Sequence, residues 1–250
     1  MTRGNVSTRR GIDMPQREAL VQLRKVTKDY RSLRPLRIDT LDLHEGQTRA
    51  LIGFDQLMAE ILVDLITAAI VPDTGTVTVF GQLTTSIPDR DAWLQTLDRF
   101  GLLTERAVLV EQLTVEQNLA IPYSLALDTL SADVRARVSR LAEEIGFAAS
   151  DLARSTSGLS ATGRLRLRLG RALAMDPKVL LAEHPNATLA RDEAMQFGAE
   201  LGRIVQGRNC ALLVLTADSE FARSVADETF VLDPATGTLK PSSGWRRWFS

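Results

Sequence analysis

The sequence predicts an α/β protein organised around a mostly parallel sheet, and three observations carry that reading. The runs VLLAEH (179–184) and CALLVLT (210–216) are short and continuously apolar, as strands buried on both faces are, and helical segments lie between them. RALI (49–52) leads into the helix-like LVDLITAAI (62–70), the strand-to-helix order of such folds. The stretch from about 104 to 175 reads as mostly helical.

Taken in order, VQLRKVTKDY (21–30) and LRIDTLDL (36–43) are strand-like and flank a polar turn. TRALIGF follows as a buried strand, and residues 56–70 carry helical periodicity. PDTG (72–75) signals a turn, after which TVTVFGQ alternates like an edge or half-buried strand. Further on, SADVRARVSRLAEEIGF is amphipathic, with Val134, Val138, Leu141 and Ile145 at helical intervals. Residues 1–18 read as an unstructured polar tail. Residues 242–250 read as an aromatic and basic tail around Trp245, Trp248 and Phe249, a composition suited to an interface or to a frayed end.

Composition excludes several classes. A chain of 250 residues with 44% hydrophobic content is able to bury a large core. Its longest apolar run, interrupted by Asp64, falls well short of the roughly 20 residues a membrane span requires. The N-terminal stretch lacks the apolar segment of a secretory signal, so the expected compartment is the cytoplasm. A formal net charge of −1 argues against a nucleic-acid partner. Cys210 sits in an apolar strand-like run and reads as a buried small hydrophobe. His44 and His184 are the two histidines, and no metal cluster is expected.

Several landmarks stand in a fixed order. They are Tyr30, EGQTRALIG (45–53), PDTGTVTVFG (72–81), LTVEQNLAIP (113–122), LSATG (159–163), LGRALAMDPKVLLAEHP (169–185) and LLVLTADSEFARSVADETFVLDPATGTL (212–239). Over residues 19–241 this series resembles the nucleotide-binding subunit of ATP-binding cassette (ABC) transporters. The resemblance implies a P-loop NTPase-like, ABC-type core with a mostly parallel sheet, a small antiparallel β subdomain and an inserted α-helical subdomain at about 104–164. It also implies that Tyr30 matches the aromatic residue on which adenine stacks.

The positions that would carry the chemistry differ from the family pattern. A phosphate loop G-x-x-x-x-G-K-[ST] works because glycines let backbone N–H groups surround phosphate oxygens, lysine neutralises their charge and the hydroxyl binds Mg²⁺. Here Gly53 remains, while Met58, Ala59 and Glu60 stand at the last glycine, the lysine and the hydroxyl. A carboxylate facing phosphate in a partly buried loop costs on the order of several kcal/mol. By the same alignment Glu183 and His184 stand at the metal-holding aspartate and the catalytic glutamate, and Glu105 at the γ-phosphate-sensing glutamine. Ala217 stands at the switch histidine and Ala190 at the loop aspartate, while Ser160 is retained from the signature with Ala161 and Thr162 at its glycines.

These departures lead to the expectation of a non-hydrolysing pseudo-ATPase with no resident cofactor, acting as a structural or regulatory component of an ABC-type membrane complex. The expected partners are a membrane permease and an intact ABC ATPase subunit, or a second copy as homodimer, with the chain peripheral on the inner face of the membrane. Two alternatives stand beside it: a slow or unconventional ATPase binding ATP and Mg²⁺ through Tyr30 and Glu183, and a soluble regulator separate from transport. With the loop glycines gone, QLMAEILVDLI is free to extend as helix toward its N-terminus. Asp55 then falls at the N-cap, taking the N–H groups that would have held phosphate.

Overall fold

Apolar residues of alternating strand positions divide between two layers of core. The computed structural model describes residues 19–242; the N-terminal tail and the Trp245, Trp248 and Phe249 tail lie outside the described residues. In chain order come β1 (Ala19–Lys28), β2 (Leu36–His44), β3 (Thr48–Ile52), α1 (Gln56–Ile66), β4 (Thr74–Val79) and β5 (Gln82–Leu83). Next are α2 (Arg90–Leu97), β6 (Phe100–Leu103), α3 (Val115–Ala120), α4 (Ala132–Glu144) and α5 (Ala161–Leu173). Then follow β7 (Val179–Glu183), α6 (Arg191–Gly207), β8 (Ala211–Thr216), α7 (Ser219–Val225), β9 (Glu228–Asp233) and β10 (Thr238–Pro241).

A six-stranded sheet runs β10-β9-β3-β8-β7-β6 and is parallel except for its β9–β10 edge. A four-stranded antiparallel sheet runs β2-β1-β4-β5. The continuous apolar strands are explained by the pleat. Leu180, Ala182, Leu212 and Val214 face one core cluster with α3, α4, α5 and α6, while Val179, Leu181, Ala211, Leu213 and Leu215 face the other with α1 and the antiparallel sheet. Close packing in the helical region depends on Gly170: a Cβ there would lie 2.5 Å from Ile145 Cδ1 and 2.6 Å from Leu119 Cδ2. Among the described residues no helix is long and apolar enough to cross a membrane.

Three local readings need adjustment. Helical periodicity continues to residue 70, yet α1 stops at Ile66 because Thr67 caps it and Ala68 adopts a φ of +58°. The stretch 104–175 contains an irregular segment, 104–113, before the capping box in which Thr114 and Gln117 start α3. Helix α2 escapes a periodicity reading because none of its residues is buried; Asp89 caps it and Trp93 Nε1 donates to Thr67 O at 2.9 Å.

Candidate functional site

The parallel strands β3, β8 and β7 are neighbours, so Gly53, Ala217 and the pair Glu183 and His184 emerge at one carboxyl edge of the sheet. Such an edge is where open α/β sheets bind ligands. Gly53 turns the chain at a φ of +97°, a region glycine enters without strain. Phe54, 1% exposed, then anchors the turn in the core. Asp55 is the N-cap of α1, with its Oδ1 accepting from Met58 N at 2.8 Å, so a carboxylate lies at the positive end of the helix. In the first turns Met58 packs against the core, Ala59 is fully buried and half-buried Glu60 accepts from Gln56 Nε2 at 2.9 Å.

Glu183 closes β7 with its side chain 1% exposed, and both carboxylate oxygens are engaged. Oε2 accepts from Thr104 Oγ1 at 2.7 Å, and Oε1 accepts a short hydrogen bond from Arg106 Nη2. The other guanidinium nitrogen, Nη1, donates to Asp64 Oδ1 of α1 at 3.3 Å. Burial works against the charged Arg106, but the hydrogen bond and charge of Glu183, with Asp64 adding to them, hold its pKa above the usual arginine value. A small space of about 10 Å³ beside Glu183 is lined also by Glu105, Arg168 and Pro185.

His184 takes a left-handed φ of +42° as its backbone N–H donates to Leu215 O at 2.8 Å. Its Nε2 is buried without a hydrogen-bond partner among the described residues. Ala217 is an exposed methyl, and the groups around it pair with one another: Thr216 Oγ1 donates to Asn186 Oδ1 at 3.1 Å, and Asn186 Nδ2 donates to Asp218 Oδ2 at 3.1 Å. Asp218 also caps α7. The remaining positions named from the sequence lie on separate elements. Tyr30 is half-buried against the antiparallel-sheet core, and Ser160 caps α5 by accepting from Gly163 N at 3.1 Å. Glu105 is exposed, and exposed Ala190 caps α6 with no side-chain bond of its own.

Sequence reasoning passed over the residues that fasten this edge to the helical region. Besides Thr104 and Arg106, Arg168 Nε donates to Ala107 O at 3.3 Å and Arg171 Nη1 to Val108 O at 2.6 Å, both from α5. Asn118, fully buried, bonds both Val110 N (3.0 Å) and Val110 O (2.9 Å) and donates to Thr156 Oγ1 at 2.9 Å. The four arginines of α5 at 164, 166, 168 and 171 were the available signal, since a basic helix with so few lysines elsewhere points to carbonyl and carboxylate partners. Cys210 is buried, and burial pushes its thiol up to about 11.

Residues 36–187 match the family model for the ABC transporter. The chain belongs to that family. Among ABC relatives, it is 29% identical over 215 residues to the sulfate/thiosulfate import ATP-binding protein CysA of Thermosynechococcus vestitus, covering 85% of this chain and 61% of the relative. It is 26% identical over 218 residues to the methionine import ATP-binding protein MetN 1 of Pseudomonas fluorescens, covering 86% of this chain and 64% of that one. The chain thus spans 61% and 64% of the length of these curated relatives. Among solved structures, cbiO1 from Clostridium perfringens, part of the ABC transporter complex cbiONQ, matches with a TM-score of 0.74 at 18% identity, covering 85% of this chain and 84% of that one. The dimeric structure of the bacterial ABC transporter cassette MJ0796 matches with a TM-score of 0.69 at 20% identity, covering 85% and 94%. The α/β fold with a mixed sheet, an antiparallel sheet and a helical region is that of the ABC cassette.

Proposed function

We propose that this chain is a cassette subunit of an ABC-type membrane transport complex that neither binds MgATP in the family's pose nor hydrolyses it. One observation carries the reading: at the edge where phosphate and metal would sit, Asp55 and Glu183 are committed to partners within the chain and Ala59 is packed into the core. Asp55 takes the helix amide, Ala59 is buried in the core with no amine, and Glu183 is held by Thr104 and Arg106. Glu60 adds a carboxylate where a hydroxyl would bind the ion. The residues present therefore do not fit a magnesium triphosphate. His184, aligned with the base position, has its Nε2 buried and without a hydrogen-bond partner among the described residues.

Its role in the complex is then structural or regulatory, with the chain peripheral on the inner face of the membrane. A cleft of about 500 Å³ lies between β6 and α5, lined by Leu97, Leu102, Pro122 and Met175 with Arg168 and Arg171. With Val108 and Met175 at 73% and 59% exposure beside it, this surface suits a helix from a membrane permease. An intact ATPase subunit, with Ser160 facing its nucleotide, or a second copy of the chain completes the assembly. The relatives' names and the family match support the transport assignment. Titration of the full chain with a fluorescent ATP analogue and Mg²⁺ tests the nucleotide reading: no saturable binding is expected, and micromolar affinity overturns it. Affinity purification from membranes tests the assembly, with a permease and an intact cassette subunit as expected companions.

A further inference from the structure

We propose that the Arg106 guanidinium is a resident, covalently tethered cation occupying the place of a diffusible one between α1 and β7. Glu183 is buried at the end of β7, and a carboxylate that deep requires a positive partner, because an uncompensated buried charge is strongly unfavourable. Asp64, 29% exposed on α1, supplies a second carboxylate, and the two converge on the same side chain through its two terminal nitrogens. Oxygen ligands from separate elements closing on one positive centre is how proteins hold a hard cation. Here the centre arrives with the chain and cannot dissociate.

Surrounding groups complete the case. Thr104 Oγ1 occupies the remaining Glu183 oxygen and also accepts from Arg106 N at 3.2 Å, so hydroxyl and guanidinium arrive together from one turn of chain. Glu60, one turn before Asp64, is engaged by Gln56, and Glu105 lines the same small space as Glu183. With one terminal guanidinium nitrogen on Glu183 and the other on Asp64, the carboxylate oxygens that would ligate an ion are already held by a cation. The inference goes beyond the nucleotide reading, and its test contains no nucleotide, so either is able to fail alone.

Thermal melts of the full chain, with and without millimolar Mg²⁺ or Mn²⁺, compare wild type with Arg106→Gln, Arg106→Lys and the double variant Arg106→Gln/Glu183→Gln. Wild type is expected to melt at one temperature in all buffers. Arg106→Gln is expected to melt lower and to recover about 3–5 °C with the divalent ion, as weak native-state binding predicts. The double variant, with neither charge, is expected to melt above Arg106→Gln and to ignore the ion. Arg106→Lys keeps a cation but cannot bridge both carboxylates, so it is expected to melt lower than wild type and remain indifferent. Overturning results are a wild type that responds to the ion, an Arg106→Gln chain that does not, or a double variant less stable than the single one. Should Arg106→Gln fail to fold, a folded and ion-indifferent double variant supports the proposal, and a double variant that also fails overturns it.

Discussion

Arg106 and Glu183 lie 77 positions apart and meet in a direct ion pair, with the arginine side chain 41% exposed and the glutamate 1%. The asymmetry matters energetically. Water screens one partner, while the other has exchanged its hydration for two protein donors. Removing the arginine is therefore a different experiment from removing the glutamate.

Arg106→Met is expected to lower unfolding free energy by about 1–3 kcal/mol, reduced from the cost of breaking a fully buried pair because Arg106 is part-exposed. Glu183→Gln keeps the Thr104 contact and is expected to cost less. Urea denaturation of the two variants checks the order.

Asp55→Ala removes the side chain that accepts from Met58 N and is expected to cost about 1 kcal/mol, whereas Asp55→Asn retains most of the cap. Salt should narrow the small Asp-to-Asn difference, because the charge interaction with the helix end is screened. Denaturation in low and high salt measures both.

On the proposed reading, a single substitution at Ala59 is not expected to confer nucleotide binding. Ala59→Lys places an amine at the fully buried position that the family resemblance aligns with the phosphate-loop lysine, while Asp55 and Arg106 stay in place. The variant is expected to lose about 1–3 kcal/mol of stability from the buried amine and to leave the fluorescent ATP analogue unbound. Binding by this single variant would show that the missing lysine alone closes the site.

Asn118 joins the irregular segment to Thr156 across the helical region while itself wholly inaccessible. Asn118→Leu leaves the Val110 N–H and carbonyl and the Thr156 hydroxyl without it, an expected loss of about 2–4 kcal/mol. Hydrogen exchange should rise at residues 108–113 ahead of the central sheet.

For Cys210 the sign follows from burial, which raises the folded-state thiol from 9.0 to about 11. The contribution to stability is fully present below the unfolded pKa, because both states are then protonated. It is lost as pH rises from about 9 toward 11, where only the unfolded thiol ionises. Melting temperature across that range should fall more steeply for wild type than for Cys210→Ala. Near neutral pH the native thiol should resist alkylating reagents that label the unfolded chain.

Legibility from sequence follows range. Strands β7 and β8 are visible because each buries both faces, and an aspartate before a helical run is a signal contained within four residues. Helix α2 offers no apolar face to read, and β6, four residues long, is too short to show a period. The Arg106 contacts are unreadable for a deeper reason: Asp64, Arg106 and Glu183 belong to three elements whose convergence depends on the whole sheet order. A motif comparison attends to positions where chemistry is expected, and Arg106 follows one of them, Glu105, by a single residue.

The fastening of residues 104–111 carries a mechanical consequence. These residues form the joint between β6 of the sheet and α3 of the helical region. In this chain the joint is stitched on both sides, by Arg106 toward the sheet and by Arg168 and Arg171 toward the helices. On the proposed reading, load applied at Val108 would pass through Arg171 to α5 and through Arg106 to β7 and α1, which would make the subunit a stiff bracket with its geometry set at folding.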